Sequence, residues 1–296
     1  MKKTLRKNAT IFSLVFPGIL IFILATLAPI ILSFYYGMTN MTGNSLQFDF
    51  IGITNYIQIL TKDNIFWVSL LHAFILGIAT IVIQHPICIL LAIALDKIGN
   101  KAEKIFRVLF FVPCVISIMV TSKMWINILS PGYGLLDKLL DMVGLGFAKQ
   151  TWLGDPKFAI WSIGGIVIWQ GFGFGLLVYY SGIKGIPEEL YEAGRLDGAT
   201  GMKLYTKITM PLLAPVMKVA VTMAMIACLK QMETVFLTTN GGPGNSTQFL
   251  ANYLYTKAFS SFEFGYANAI SVIFVIVCMI VTFLTNKLLK DEVSEF

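Results

Sequence analysis

The chain has 296 residues, 56% of them apolar and only 13% charged, with a net charge of +6. A soluble domain carries about 25% charge, and the mean hydropathy here is +0.77. A soluble globule and a disordered chain are both excluded; the solvent that fits such a sequence is a bilayer. Cys88, Cys114, Cys228 and Cys278 lie in apolar runs and make no CxxC, which indicates neither a metal site nor a disulfide framework. The basic residues are scattered between apolar runs, as membrane orientation signals are. They form no patch for nucleic acid.

A spanning helix needs about 20 mostly apolar residues. Residues 8–48 carry no charge, and their apolar part predicts a first span over 11–36, behind a short N-terminal segment, 1–10. Residues 64–95 also lack Asp, Glu, Lys and Arg and predict a second span over 68–95. A third, 106–129, has Lys123 near one end. The fourth covers 158–183. The fifth, 212–236, is interrupted by Lys218, Lys230 and Glu233. The sixth covers 264–286 and leaves a tail, 287–296. Each span is a helix, because backbone polar groups in lipid must be satisfied within the segment. The period-2 alternation of a β-barrel is absent. The expected fold is an all-α membrane protein with six transmembrane helices.

Basic residues orient it. Lys2, Lys3, Arg6 and Lys7 precede the first span; Lys97, Lys101, Lys104 and Arg107 separate the second from the third. Lys184, Arg195, Lys203 and Lys207 separate the fourth from the fifth, and Lys287 and Lys290 follow the sixth. The alternate connections hold only Lys62, Lys138, Lys149, Lys157 and Lys257. This asymmetry predicts both termini and the 184–211 connection in the cytoplasm. The first run starts basic like a signal peptide, but it is longer than an h-region and no A-x-A site follows. It is expected to stay as a span. Pro17, Pro29, Pro86 and Pro113 predict kinks. Gly171, Gly173 and Gly175 allow a neighbouring backbone to approach, with Gly171 and Gly175 at GxxxG spacing. Trp125 and Trp161 fit an interfacial aromatic belt.

The connection KGIPEELYEAGRLDGATGMKLYTKITMP, 184–211, is too polar to span and too long for a tight turn. Pro187, Glu188 and Glu189 predict a helix start, and Leu190, Ala193 and Leu196 recur at helical spacing. Asp197-Gly198 signals a turn. Thr200 is expected to cap a second short helix carrying Leu204, Tyr205 and Ile208, which Pro211 separates from the fifth span. Such a knob suits either a lipid surface or a protein partner.

Glu192-Ala193-Gly194, three residues, Gly198, nine residues, then Ile208-x-Met210-Pro211 resembles the EAA loop of binding-protein-dependent ABC importer permeases. Gly194 and Met210 depart from that pattern, which has alanine and leucine there. Phe50-Ile51-Gly52-Ile53-Thr54-Asn55-Tyr56, Thr239-Asn240-Gly241-Gly242-Pro243 and Phe264-Gly265-Tyr266-Ala267 resemble stretches of the carbohydrate-uptake permeases of the maltose and glycerol-phosphate type. The length and the retained first span are similar to the first of the two paired permease subunits. The resemblance implies that the loop, with Glu192, Ala193, Gly194, Asp197, Gly198, Ala199, Leu204, Ile208 and Pro211, docks into a cytoplasmic ATPase. It further implies a second permease subunit, a dimer of ATPase subunits that bind ATP and Mg, and an extracellular or periplasmic solute-binding protein. The expected place is the cytoplasmic (inner) membrane of a bacterium or archaeon.

This chain carries no P-loop and no Ser-His-Asp set, so no cofactor and no enzymatic role are expected of it. His72 and His85 both fall in the second span as structural or lining residues. Ionisable groups at intramembrane depth face a bundle interior or a water-filled path. Lys230, Gln231 and Glu233 in the fifth span are therefore expected on the substrate path, with Lys230 and Glu233 close enough to pair at i, i+3. Trp169 and Gln170 are weaker candidates. Alternatives are a permease of the same class for a peptide, ion or phosphodiester, and a stand-alone secondary transporter. The latter should show coupling carboxylates and an internal repeat, and no repeat is visible.

Overall fold

The structure is a computed structural model that describes residues 2–45, 47–98 and 100–289, with side chains from residue 12 onward. The side-chain expectations for 1–10 and those for 290–296 lie outside the described residues. The chain divides into two compact units, one of 1–63 with 254–276 and one of 64–253 with 277–296. The only β contact among the described residues is an isolated bridge, Thr39 to Phe50.

The first unit holds α1 (Phe12–Tyr36), the apolar part of a helix that begins at Lys2, and α2 (Thr54–Lys62). Asn55 fixes the link between them: its buried amide donates to Gly37 O at 3.0 Å and Thr39 O at 2.9 Å. Tyr266 Oη donates to Asp63 Oδ2 at 2.6 Å. Gly265 lies so close to the same strand-like link that a Cβ would meet Thr39 O at 2.1 Å.

The second unit carries α3 (Asn64–Lys97), α4 (Asn100–Val115), α5 (Ile118–Ile128), α6 (Leu135–Met142) and α7 (Pro156–Lys184). α8 (Glu188–Leu196), α9 (Met202–Leu229), α10 (Glu233–Thr238) and α11 (Leu250–Tyr255) follow, and α12 (Phe264–Leu288) runs through both units. Among the described residues, α1, α3, α7, α9 and α12 are each long and apolar enough to cross a membrane, and α4 with α5 adds a sixth span if the bent pair is taken as one.

Three prolines are absorbed without a break. Proline lacks an N–H and its ring presses on the carbonyl four residues back. Opening the preceding turn to the π form relieves that pressure. π turns occupy Ile23–Leu27, Thr80–Gln84 and Tyr205–Thr209. Each is followed at the second residue by a proline: Pro29, Pro86 and Pro211. The backbone bonding continues through them, as Met210 N–H to Tyr205 O illustrates.

Several span boundaries are corrected. The second helix runs from Asn64 to Lys97, longer than 68–95. The third span is not one straight helix over 106–129. It turns by 93° between α4 and α5, where Ser117 adopts ψ 137. The freed Ile116 carbonyl is satisfied from α7, by Gln170 Nε2 at 3.2 Å, and Cys114 Sγ donates in return to Gln170 O at 2.8 Å. Irregular backbone survives at membrane depth only with such partners. The fifth span does not run 212–236. Its helix begins at Met202 and stops at Leu229, and α10 restarts at Glu233. Pro211 therefore separates nothing, and Thr200 is not a side-chain cap, since Gly201 at φ +55 holds the N-cap. Trp125 is no belt residue within this chain: its indole N–H is buried and its ring meets Trp169 edge-on at 5.5 Å.

The core of the second unit lies where α3, α7 and α9 meet. Cys88, Ala92, Leu176, Tyr179 and Leu213 are its buried centre. The three glycines of α7 face two neighbours. A Cβ on Gly173 would sit 2.2 Å from Phe110 O, whereas Gly175 faces Cys88 Sγ at 3.2 Å and Gly171 faces Gln84 at 3.5 Å.

Candidate functional site

Two features carry functional chemistry, a loop at one end of the second unit and a cavity between its helices. The loop begins with α8, whose N-cap is Pro187 and whose first turn holds Glu188 and Glu189. Those carboxylates suit the positive end of the helix. The far end is closed by a pair of reverse bonds. Ala199 N–H reaches Gly194 O at 2.8 Å and Gly198 N–H reaches Arg195 O at 3.1 Å, with Gly198 at φ +79. This is the Schellman arrangement, which needs a left-handed residue at the position Gly198 fills. Gly198 was expected at a bend with an unusual backbone angle, and it has one.

α8 then packs on the first turns of α9. Gly194 makes room for Ile208, since a Cβ there would meet Ile208 Cδ1 at 2.2 Å and Leu204 Cδ1 at 3.8 Å. Tyr191 Oη and Thr209 Oγ1 share a hydrogen bond of 3.1 Å. Leu204 is buried, and Ala199 and Ile208 are half-buried. Two charged contacts join this end of the unit to α3: Lys97 Nζ lies 4.5 Å from the Tyr205 ring centroid, and Lys184 Nζ lies 2.7 Å from Asp96 Oδ1. On the other side Glu192, Ala193, Asp197 and Pro211 are exposed. Leu196 is 90% exposed, and Met202 is exposed as well.

The cavity lies between α3, α7 and α9 and measures about 370 Å³, within the roughly 300–1,000 Å³ of small-molecule sites. Thr80, Gln84 and His85 line it from α3, Gly171, Phe174 and Gly175 from α7, and Ala224, Ala227 and Cys228 from α9. Thr80 Oγ1 and Cys228 Sγ are 3.5 Å apart, and His85 Nδ1 bonds the Tyr179 hydroxyl. Gln84 is different. It is only 7% exposed, and among the described residues its amide makes no hydrogen bond. Its amide opens on the cavity, where it is free to bond an occupant. Gly171 follows the central residue of the 29-residue α7, so the cavity sits at mid-depth of that span.

The residues expected on a substrate path do not line this cavity. Lys230, Gln231 and Met232 form the link between α9 and α10, so Lys230 and Glu233 do not share a helix at i, i+3. Lys230 and Glu233 are exposed and Gln231 is half-buried. Trp169 packs on Trp125, and Gln170 holds the backbone of the bend at Ile116. His72 Nδ1 lies 2.9 Å from Gln248 O, whereas His85 reaches the cavity. Gln84 and Thr80 were missed because they sit inside a long apolar run. The signal was there: Gln84 and His85 are adjacent polar residues in a span that has few others.

The family described as "Binding-protein-dependent transport system inner membrane component" matches residues 86–294. The chain is 33% identical over 277 residues to the probable ABC transporter permease protein YurN of Bacillus subtilis, covering 93% of this chain and 94% of that one. It is 34% identical over 256 residues to the multiple sugar-binding transport system permease protein MsmF of Streptococcus mutans, covering 86% and 87%. The fold resembles a chain of a bacterial alginate ABC transporter solved with an alginate pentasaccharide-bound periplasmic protein. The TM-score is 0.85 at 20% identity, over 100% of this chain and 99% of that one.

Proposed function

The chain belongs to the inner-membrane components of binding-protein-dependent transport systems and is a multi-pass permease; from that premise we propose that its cargo is a sugar or oligosaccharide. The observation that carries the site reading is the Gln84 amide, which lines a mid-depth cavity and makes no hydrogen bond among the described residues. An amide offers both a donor and an acceptor, which suits a hydroxyl. Phe174, also on the lining, offers a flat apolar face. The name of the MsmF relative, a permease of a multiple sugar-binding transport system, supports the same cargo. Lys230, Gln231 and Glu233, at the unwound link after α9, are proposed to line an outer part of the path, as unwound segments of spanning helices do in other transporters.

The remaining assignments follow. A second permease subunit completes the path. ATP and Mg bind to a pair of cytoplasmic ATPase subunits, and hydrolysis occurs there and not on this chain. A solute-binding protein on the far side delivers the sugar. Residues 187–210 face the cytoplasm and couple the ATPases to the path. The exposed Leu196 and Met202 at the turn between α8 and α9 support that docking role.

The test uses the assembled complex in proteoliposomes, with sugar-stimulated ATPase activity and uptake read across a sugar panel. Gln84→Leu keeps shape and removes the amide. It is expected to leave assembly intact and to reduce uptake of the sugar that stimulates the parent. Unchanged uptake and apparent affinity would remove the cavity from the path.

A further inference from the structure

α6, between the bent third span and α7, has its burial inverted. Asp137 points inward and is 3% exposed; its carboxylate accepts the Gly132 N–H at 2.8 Å and the Trp152 indole N–H at 3.0 Å. Leu135, Leu139 and Met142 point outward, and Val143, Leu145 and Phe147 continue the exposed apolar face, with Met142 74% and Phe147 83% exposed. A helix facing water has the opposite arrangement. The helix is well made. Gly144 at φ +76 closes it with Gly144 N–H to Asp141 O at 3.0 Å and Leu145 N–H to Leu140 O at 2.7 Å. The outward face is therefore fixed by the fold.

We propose that α6 and the turn after it lie in the headgroup region of the bilayer, in the leaflet opposite segment 184–211, with the Leu135, Leu139, Met142 and Phe147 face toward the acyl chains. Three observations favour lipid as the occupant. The first is position. Gly134, the N-cap of α6, folds back on the last turn of α5, since a Cβ there would lie 2.5 Å from Ile128 O. α6 thus starts at the end of a membrane-inserted helix and cannot reach far from it. The second is chemistry. The face presents six apolar side chains and, apart from Lys138, nothing to donate or accept. A protein interface carries about one hydrogen bond per 100–200 Å², whereas the acyl boundary asks for none. Lys138, exposed on the same face, and Lys149, paired to Asp141, supply charge at phosphate depth. The third is the depth marker. Tyr133 just before α6 and Trp161 near the start of α7 are both exposed, and such rings concentrate at headgroup level. An interfacial helix of this kind sinks about 5–10 Å below the headgroup surface. It would hold the far end of the bent third span, with Asp137 and Trp152 as the clamp between α6 and the 150–156 turn.

The proposal rests on the spans crossing a bilayer, and the test separates the two. Cysteine is placed at Met142 or at Phe147 of the transporter, assembled with its partner subunits in lipid nanodiscs, and labelled with an environment-sensitive fluorophore. Asn245, exposed in the connection after α10, is labelled as a water-facing control. The unsubstituted protein sets the background. Two quenchers are compared: aqueous iodide, and lipids carrying a spin label high on the acyl chain. The expected result is blue-shifted emission, quenching by the spin-labelled lipid and little quenching by iodide at both α6 sites, with the reverse at Asn245. Adding Leu139→Glu should abolish the lipid quenching at Phe147. Iodide quenching equal to that at Asn245 would overturn the proposal, since the face would be in water. Quenching by neither reagent would also overturn it, because a protein partner would then cover the face. Lipid quenching at Asn245 itself would instead fault the crossing pattern.

Discussion

Gly198 offers the sharpest test of the 184–211 segment. Its φ of +79 belongs to a region that L side chains rarely adopt. A Cβ at 198 would meet no atom within 4 Å, so packing adds nothing and the penalty of substitution is backbone strain alone. For alanine that strain is about 1–2 kcal/mol. A shift of that size changes a local equilibrium by a factor of about 5–30. Valine should be worse, because its branched Cβ is stiffer against the backbone. Asparagine should be better than alanine, because its short polar side chain tolerates the left-handed conformation. The strained variants should lose the bonds from Ala199 N–H to Gly194 O and from Gly198 N–H to Arg195 O, and with them the angle between α8 and α9. The expected order of retained ATPase in the purified complex, and of uptake, is Gly, then Asn, then Ala, then Val. Binding of sugar by the separate binding protein should not change. A purely steric role would put Asn below Ala, because Asn is larger. That order, or a Val variant with full ATPase retention and uptake, would refute the reasoning and remove 187–210 as the coupling element.

Two further outcomes test the packing and the α6 clamp. Gly173→Ala drives a Cβ to 2.2 Å from Phe110 O and 2.8 Å from Phe111 Cα; backbone cannot yield as a side-chain tip can, so a loss of about 1–3 kcal/mol or more is expected, read as a lowered thermal midpoint of the detergent-purified subunit, and an unchanged midpoint would mean α4 and α7 are not in close contact. The Asp137 carboxyl is held below the usual carboxylate range, first by the Gly132 N–H and then by the Trp152 indole and Lys149. Because its folded value is the lowered one, its contribution to the clamp is present above about pH 4 and fades as pH falls through the folded value. Trp152-dependent fluorescence should change in that acid range and Asp137→Asn should flatten the profile, whereas an identical profile in the variant would take the clamp away from Asp137.

The spans were legible because hydropathy and length alone define them: α7 and α12 begin and end within two residues of the apolar runs that predicted them. What hydropathy hides is the backbone inside a run. Pro29, Pro86 and Pro211 mark irregular places, but a proline can follow a π turn, as these do, or lie within an uninterrupted α-helix, as Pro215 does. Pro113 is the contrast. The helix it enters ends at Val115 and turns by 93°, and the groups that make this tolerable, Gln170 and Cys114, are 56 residues apart in sequence. The break after Leu229 has a readable signal in Lys230-Gln231-Met232-Glu233, a polar cluster that fits the end of a helix as well as charge within one. Gly198 was legible because its chemistry is local. The cavity was not, since Gln84 acquires its meaning only when Gly171 and Gly175, more than 80 residues later, leave space against it. The inversion of α6 likewise depends on Trp152, which gives Asp137 a reason to turn inward.

The corrected start of the fifth span gives the proposed coupling a mechanical route. Had Pro211 ended a separate short helix, motion of α8 would dissipate at a hinge. Instead Met202–Leu229 is one helix, and its π turn keeps the backbone bonds unbroken through Met210. α8 grips the first turns of that helix at Ile208 and Thr209. The same helix, about 30 Å from Leu204 at 1.5 Å per residue, carries Ala224, Ala227 and Cys228 on the cavity wall. A tilt imposed on α8 therefore reaches the cavity as movement of a whole wall. The other two walls are tied to the same place: α3 ends at Lys97 against Tyr205, and α7 ends at Lys184 against Asp96. The three helices that enclose Gln84 converge on the segment proposed to meet the ATPase. Neighbouring atoms leave the Gly198 Cβ position empty while packing Gly194 tightly, so the loop is rigid where it grips α9 and unobstructed where it turns.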